Sequence, residues 1–198
     1  MNISMDLIKE LREKTSAGIS DCKKALEAAG CDMEKAIDEL KKKGLATAQK
    51  KAGRATNQGI VECYVHHDHK LGVMVEVNCE TDFVANTPEF KGLAKKIAMQ
   101  IAIDAPLYVD RESISPEIIE KEKNIYRDQL KSEKKPDNVI EKILEGKIEA
   151  FFKQVCLLDL PTMADPKMTI SELIKHSVGK LQENISVRRF SRFKVAEE

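Results

Sequence analysis

Apolar residues recur at helical spacing through the first fifty-odd positions, and the spacing then changes to two. Ile3, Leu7, Ile8 and Leu11 make one stripe; Cys22, Ala25, Leu26 and Ala29 make a second; Ala36, Ile37 and Leu40 make a third. Gly18, Gly30 and Gly44 punctuate them, the last two at expected helix C-terminal caps, and Asp32 is placed to cap a helix from Met33. Residues 50–59 are polar and read as a linker or a frayed helix end. From Gly59 the pattern is that of strands. Residues 59–65 and 71–79 predict a hairpin around His66-His67-Asp68-His69-Lys70, with Leu71, Val73, Val75, Val77 and Cys79 on one face.

Alternation stops at Thr81-Asp82, in a short connection that holds an aromatic, Phe83. Thr87-Pro88-Glu89 then opens a helix whose stripe is Phe90, Leu93, Ala94, Ile97, Ala98 and Ile101. Ser115-Pro116-Glu117 starts another, carrying Ile118, Ile125 and Tyr126. After a polar stretch ending at Lys135-Pro136, its partner presents Val139, Ile140, Ile143, Leu144, Ile148 and Phe151. These two predict an antiparallel helical hairpin over about residues 115–153. Thr169-Ile170-Ser171-Glu172 has the form of a capping box for a last helix. Residues 184–195 read as a strand with Ile185, Val187, Phe193 and Val195 on one face. Arg189 and Ser191 interrupt that face and Phe190 points the other way, so a bulge or a two-sided strand is expected. The resulting fold class is α+β: a helical module over residues 1–54, then a core over 55–198 with a three-stranded antiparallel sheet and helices on one face.

Composition narrows the function classes. The 198 residues include 33 Lys+Arg and 33 Asp+Glu, a formal net charge of zero, which argues against a dedicated phosphate-binding surface. From Arg111 to Lys153 ten basic residues face ten acidic ones, the balance of a solvated hairpin rather than a nucleic-acid arm. No apolar run is long enough to span a membrane, and the first residues do not read as a secretory signal. Cys22, Cys31, Cys63, Cys79 and Cys156 form no C-x-x-C pair, so reduced and mostly buried thiols are expected, in a cytoplasmic protein.

Little in the chain predicts bond-making chemistry. His66, His67, Asp68 and His69 are crowded, but adjacent residues in a tight loop cannot all converge on one ion; a metal-dependent enzyme centred there is one alternative. His176 reads as surface or satisfied core. Arg188, Arg189, Arg192 and Lys194 make a local basic patch, and an RNA- or ribosome-binding module using it is a second alternative. There is no nucleophile elbow, phosphate-binding glycine loop or zincin helix. Thr81-Asp82-Phe83-Val84 is left unexplained by either alternative.

That run lies inside Glu76-Val77-Asn78-Cys79-Glu80-Thr81-Asp82-Phe83-Val84-Ala85-Asn86, which resembles the signature of the elongation factor Ts family. Residues 11–26, Leu-Arg-Glu-Lys-Thr-Ser-Ala-Gly-Ile-Ser-Asp-Cys-Lys-Lys-Ala-Leu, are similar to the family's amino-terminal signature, with Ser16 where the family usually has Gly. Weaker echoes follow in Lys135-Pro136, Glu145-Gly146 and Gln182-Glu183-Asn184-Ile185. The resemblance implies that the helical module is a bundle like the ubiquitin-associated domain. It implies a guanine nucleotide exchange factor for elongation factor Tu, neither an enzyme nor a user of cofactors or metals, with no direct nucleic-acid contact. Thr81, Asp82, Phe83 and Val84 would enter the GTPase beside its magnesium site, the Phe83 ring wedging between helices there. Leu11, Arg12, Ile19, Lys23 and Asn78 would supply secondary partner contacts. The single sheet resembles that of short family members, which work as pairs, and so implies a homodimer in a two-to-two complex. Even-numbered positions of the last strand, including Phe190, are candidates for that interface, with Cys79 or Cys156 as further candidates.

Overall fold

Three helices form on the three apolar stripes: α1 (Met5–Thr15), α2 (Ile19–Ala28) and α3 (Met33–Lys51), in a computed structural model of the chain that describes residues 3–15, 17–132 and 136–197. Ile8, Leu11, Cys22, Ala25, Leu26 and Ala36 meet as their buried centre, with Leu7, Ile37 and Leu40 packed against it. Asp32 caps α3 as expected, its Oδ1 accepting from the amides of Glu34 and Lys35, each at 3.1 Å. Gly30, at φ +61°, ends α2 in the left-handed conformation. Ser16, where the family usually has Gly, and Glu133-Lys134-Lys135 of the polar stretch lie outside the described residues.

The reading of Gly44 as a cap is corrected, because α3 continues to Lys51. Gly44 serves a lateral contact instead. On α8 (Ile170–Leu181), a Cβ added to Gly179 would lie 2.7 Å from the Gly44 Cα, so two backbones touch where side chains would hold them apart.

The hairpin forms as read: β1 (Gln58–Val65) and β2 (Leu71–Cys79), closed by the His66 amide donating to the Leu71 carbonyl at 2.8 Å. With β3 (Ile185–Lys194) they make an antiparallel sheet in the order β1-β2-β3. Val73, Val75, Val77 and Cys79 are buried on one face of β2, as the alternation predicts. On β3 the inward set changes parity: Ile185 and Val187 are buried, but further along Phe190 and Arg192 are the half-covered ones. Such a change of parity is what a bulge or a strand covered on both sides gives. It turns Phe193 and Val195 outward, against the reading that grouped them with Ile185. At that end of the sheet Cys63, Val65, Met74, Phe193 and Val195 are all exposed.

Thr87 and Pro88 start α5 (Pro88–Asp104), whose stripe from Phe90 to Ile101 is buried. The pair α6 (Pro116–Ser132) and α7 (Asp137–Val155) packs as the expected hairpin, with Lys147 over the Tyr126 ring and Arg127 paired to Glu141. At its base Arg111 bonds both Asp159 and Glu149, each contact between 2.8 and 3.2 Å, and its guanidinium covers Phe152. All five thiols are free, and Cys22, Cys79 and Cys156 are buried, in line with the reduced, mostly buried set.

The chain divides into two compact units. One is Met1–Glu62 with Glu76–Ala94 and Glu172–Val187; the other is Cys63–Val75 with Lys95–Ser171 and Arg188–Glu198. The helical bundle, the Phe83 turn and the start of β3 therefore belong to one unit, and the helical hairpin to the other.

The glycine contact gives a stability prediction. Gly179→Ala places its Cβ against backbone that cannot rotate away and costs about 1–3 kcal/mol, a melting temperature several degrees lower. Gly44→Ala meets Gly179 only at an ordinary 3.8 Å and gains helix propensity, so it melts at or above wild type. Thermal unfolding followed by circular dichroism separates the two; a Gly179→Ala that melts like wild type would mean the helices are not this close.

Candidate functional site

At the end of β2 the chain makes one helical turn before α5 begins. This is α4 (Asp82–Ala85), capped by Thr81, whose Oγ1 accepts from the Val84 amide at 3.4 Å. The sequence reading expected a short strand-to-helix connection; the turn is helical because two threonines bracket it. Thr81 caps its start, and Thr87 Oγ1 donates to the Val84 carbonyl at 2.8 Å while accepting from the Phe90 amide at 3.2 Å. Positions two apart on a helix point about 200° away from each other. Ala85 is the one turned inward, 4% exposed, so Phe83 is turned outward and is 83% exposed. Asp82 is exposed beside it and Val84 is half-buried.

The base of this turn is fastened by carboxylates. Glu183, just before β3, accepts from the backbone amides of Glu80 and Thr81 at 3.1 and 3.0 Å through Oε2, and from the Thr81 hydroxyl at 2.6 Å through Oε1. In return Glu80 Oε1 accepts from the Asn184 amide at 2.6 Å. Arg54 joins the same knot: its guanidinium reaches Glu80 at 3.4 Å and its carbonyl accepts from Asn184 Nδ2 at 2.8 Å. The Asn184 amide, with Arg54 assisting, holds the Glu80 carboxyl below its ordinary value. Burial, and then the charge of Glu183, push the Cys79 thiol up; it donates to the Thr81 carbonyl at 3.1 Å.

The expected site residues separate by exposure. Asp82 and Phe83 are presented to solvent. Thr81 is committed internally, donating to Glu183 and accepting from Val84, so it shapes the turn rather than standing free. Among the secondary candidates Arg12, Ile19 and Lys23 are exposed, Ile19 by 51%, on the end of α1 and the start of α2. Leu11 and Asn78 are corrections. Leu11 is 0% exposed in the bundle centre, where the α1 stripe puts it, and Asn78 is 9% exposed on the central strand with Nδ2 on Glu76. Neither side chain is available to a partner. Glu183, Glu80 and Arg54 were not singled out from sequence, although Glu183 lies in one of the weaker echoes.

At the hairpin tip His66 Nδ1 shares a 2.9 Å hydrogen bond with the Tyr64 hydroxyl, and Asp68 accepts from the Lys70 amide. Among the described residues no three His, Cys, Asp or Glu side chains gather as a metal-holding group. His176 is half-buried in α8, and that burial, with Lys41 nearby, pushes its imidazole down. Among the described residues no helix is long and apolar enough to cross a membrane.

Comparison with known proteins gives one answer along the whole length. A family model described as "Elongation factor TS" matches residues 4–197. The chain is 56% identical to the elongation factor Ts of Thermotoga petrophila over 197 residues, covering 100% of this chain and 98% of the relative. It is 57% identical to that of Thermodesulfovibrio yellowstonii over the same shares. For Carboxydothermus hydrogenoformans the figure is 54%, over 98% of this chain and 90% of the relative.

The carboxylate knot responds to pH with a definite sign. A glutamate whose folded value is depressed contributes stability above its unfolded value and loses it as pH falls through the folded one. The Asn184 amide resonance, followed by NMR, is therefore expected to titrate with a midpoint below 4.5, the ordinary glutamate value, and Glu80→Gln removes the transition. A midpoint above 4.5 would mean that Asn184 does not hold the carboxylate.

Proposed function

The chain belongs to the elongation factor Ts family, and from that premise we propose that it is a guanine nucleotide exchange factor of translation elongation. It binds elongation factor Tu loaded with GDP, displaces magnesium, promotes GDP release, and leaves when GTP enters. It does so in the cytoplasm, without a cofactor, without making or breaking a covalent bond, and without contacting nucleic acid or membrane.

The observation that carries this reading is the Phe83 ring, 83% exposed on a fixed turn. Sealing a phenylalanine in a partner's pocket gains about 1.5–3 kcal/mol from desolvation, and aromatic anchors of this kind are common hot spots. The ring enters the GTPase beside its magnesium site, and Asp82 supplies a polar contact next to it. Coupling between factor and nucleotide is reciprocal, so whatever affinity the nucleotide takes from the factor, the factor takes from the nucleotide. About 4 kcal/mol of such coupling weakens nucleotide binding roughly a thousandfold. Arg12, Ile19 and Lys23 on the bundle, whose three short helices fit the ubiquitin-associated-like module of the family, grip a second point on the same GTPase.

The reading also includes a homodimer and a two-to-two complex. Its support is the exposed apolar end of the sheet, where Val65 and Phe193 are 60% and 70% exposed beside Met74, Val195 and Cys63. A second copy fits such a face because identical apolar sheet faces stack on each other about a two-fold axis. The outward aromatic of this strand is Phe193, while Phe190, the sequence candidate, is half-covered; Cys79 and Cys156 are buried.

Two measurements test the proposal. Phe83→Ala is expected to keep its circular dichroism spectrum and lose most of the stimulated release of fluorescent GDP from elongation factor Tu. Unchanged release would remove Phe83 from the mechanism. For the pair, light scattering is expected to give twice the 22.3 kDa chain mass for wild type and the chain mass for Phe193→Glu. A wild-type monomer would end the dimer reading and leave the exchange reading standing.

A further inference from the structure

An exposed ring is useful as a wedge only if its backbone does not yield when the ring is pushed into a partner. The Phe83 turn is only four residues long, too short to be stable by its own hydrogen bonds. What holds it is outside it in sequence. Glu183 receives three donors from the two residues that precede Phe83's turn, and a carboxylate accepting such bonds is among the stronger neutral-pH fastenings a surface loop can have. The geometry also orders the events on Thr81. Because its hydroxyl hydrogen goes to Glu183, a lone pair is left toward the Val84 amide, and that bond is the cap of α4. Gln182, at φ +57°, makes the left-handed step immediately before Glu183, and its carbonyl receives the Lys51 ammonium from the end of α3.

We propose that Glu183 is the positioning residue of the exchange turn: by clamping the amides of Glu80 and Thr81 and the Thr81 hydroxyl, it sets the cap of α4 and with it the outward pose of Phe83. This rests on the exchange reading above and deepens it. Glu183 touches neither nucleotide nor magnesium; it acts through Thr81. Releasing the clamp lets the turn sample other conformers, so the binding-competent fraction falls and more factor is needed to reach the same occupancy. Once bound, the ring does the same work. The predicted signature is therefore a change in half-saturating concentration at nearly constant saturating rate.

The test uses the full chain and fluorescent GDP release measured against factor concentration, with amide hydrogen exchange of the free proteins in parallel. Glu183→Ala is expected to raise the half-saturating concentration about tenfold, the scale of lost hydrogen bonds to a charged group, with the saturating rate within about twofold. Exchange at Glu80 and Thr81 is expected to quicken while Val75 and Val77 on the central strand keep their protection. Glu183→Gln restores most of the activity, because its carbonyl can accept both amides and its NH2 can donate to Thr81 Oγ1. Glu183→Ala/Phe83→Ala is expected to behave like Phe83→Ala alone, since the clamp acts only through the turn. Fully additive losses in that double variant, an unchanged half-saturating concentration in Glu183→Ala, or lost protection at Val75 and Val77 would each overturn the inference. If Phe83→Ala releases GDP like wild type, Phe83 leaves the mechanism, and the clamp is then decided by the Glu80 and Thr81 amides alone.

Discussion

Where β2 ends and β3 begins, two glutamates trade places as acceptors. Glu183 takes the amides at the end of β2, and Glu80 takes the amide at the start of β3. Backbone donors at strand ends have lost their ladder partners and must find others or be wetted. In this chain the side chains of the opposite strand fill that need in both directions, so the two ends cannot drift independently. Arg54 adds the chain coming from the helical bundle to the same knot. Through that knot the bundle and the Phe83 turn are tied within one compact unit.

The turn itself shows why the aromatic has no home in its own molecule. A single helical turn offers one inward and one outward direction, and Ala85 occupies the inward one. Phe83, two positions earlier, takes the outward one. An exposed phenylalanine leaves its apolar surface to water until something else covers it. Fastening the turn reduces the entropy lost on docking, since the backbone that carries the ring is already held.

Much of this was legible in sequence, for reasons that are local. Asp32, Thr87-Pro88 and Ser115-Pro116 mark helix starts by bonds that reach only a few residues, and the β2 alternation is set by strand geometry. The misreadings share a different origin. Gly44 has the composition of a cap but answers to Gly179, which is distant in sequence. Leu11 sits in a signature stretch, yet it belongs to the apolar stripe of α1, and burial decided its role. Glu183 could not be assigned because its three donors lie about a hundred residues earlier. Phe83 was legible as an anomaly, although its outward direction needed the helical turn that places Ala85 inside.

The change of phase along β3 has a consequence for how this chain can vary. Its first half is committed to the interior through Ile185 and Val187, and its second half displays Phe193 on the far side. Deleting one residue at Arg188-Arg189 would slip the register by one and swap every downstream side chain between inside and outside. An ordinarily harmless indel in a surface strand would here silence the outer hydrophobic surface while leaving the amino-acid inventory almost untouched.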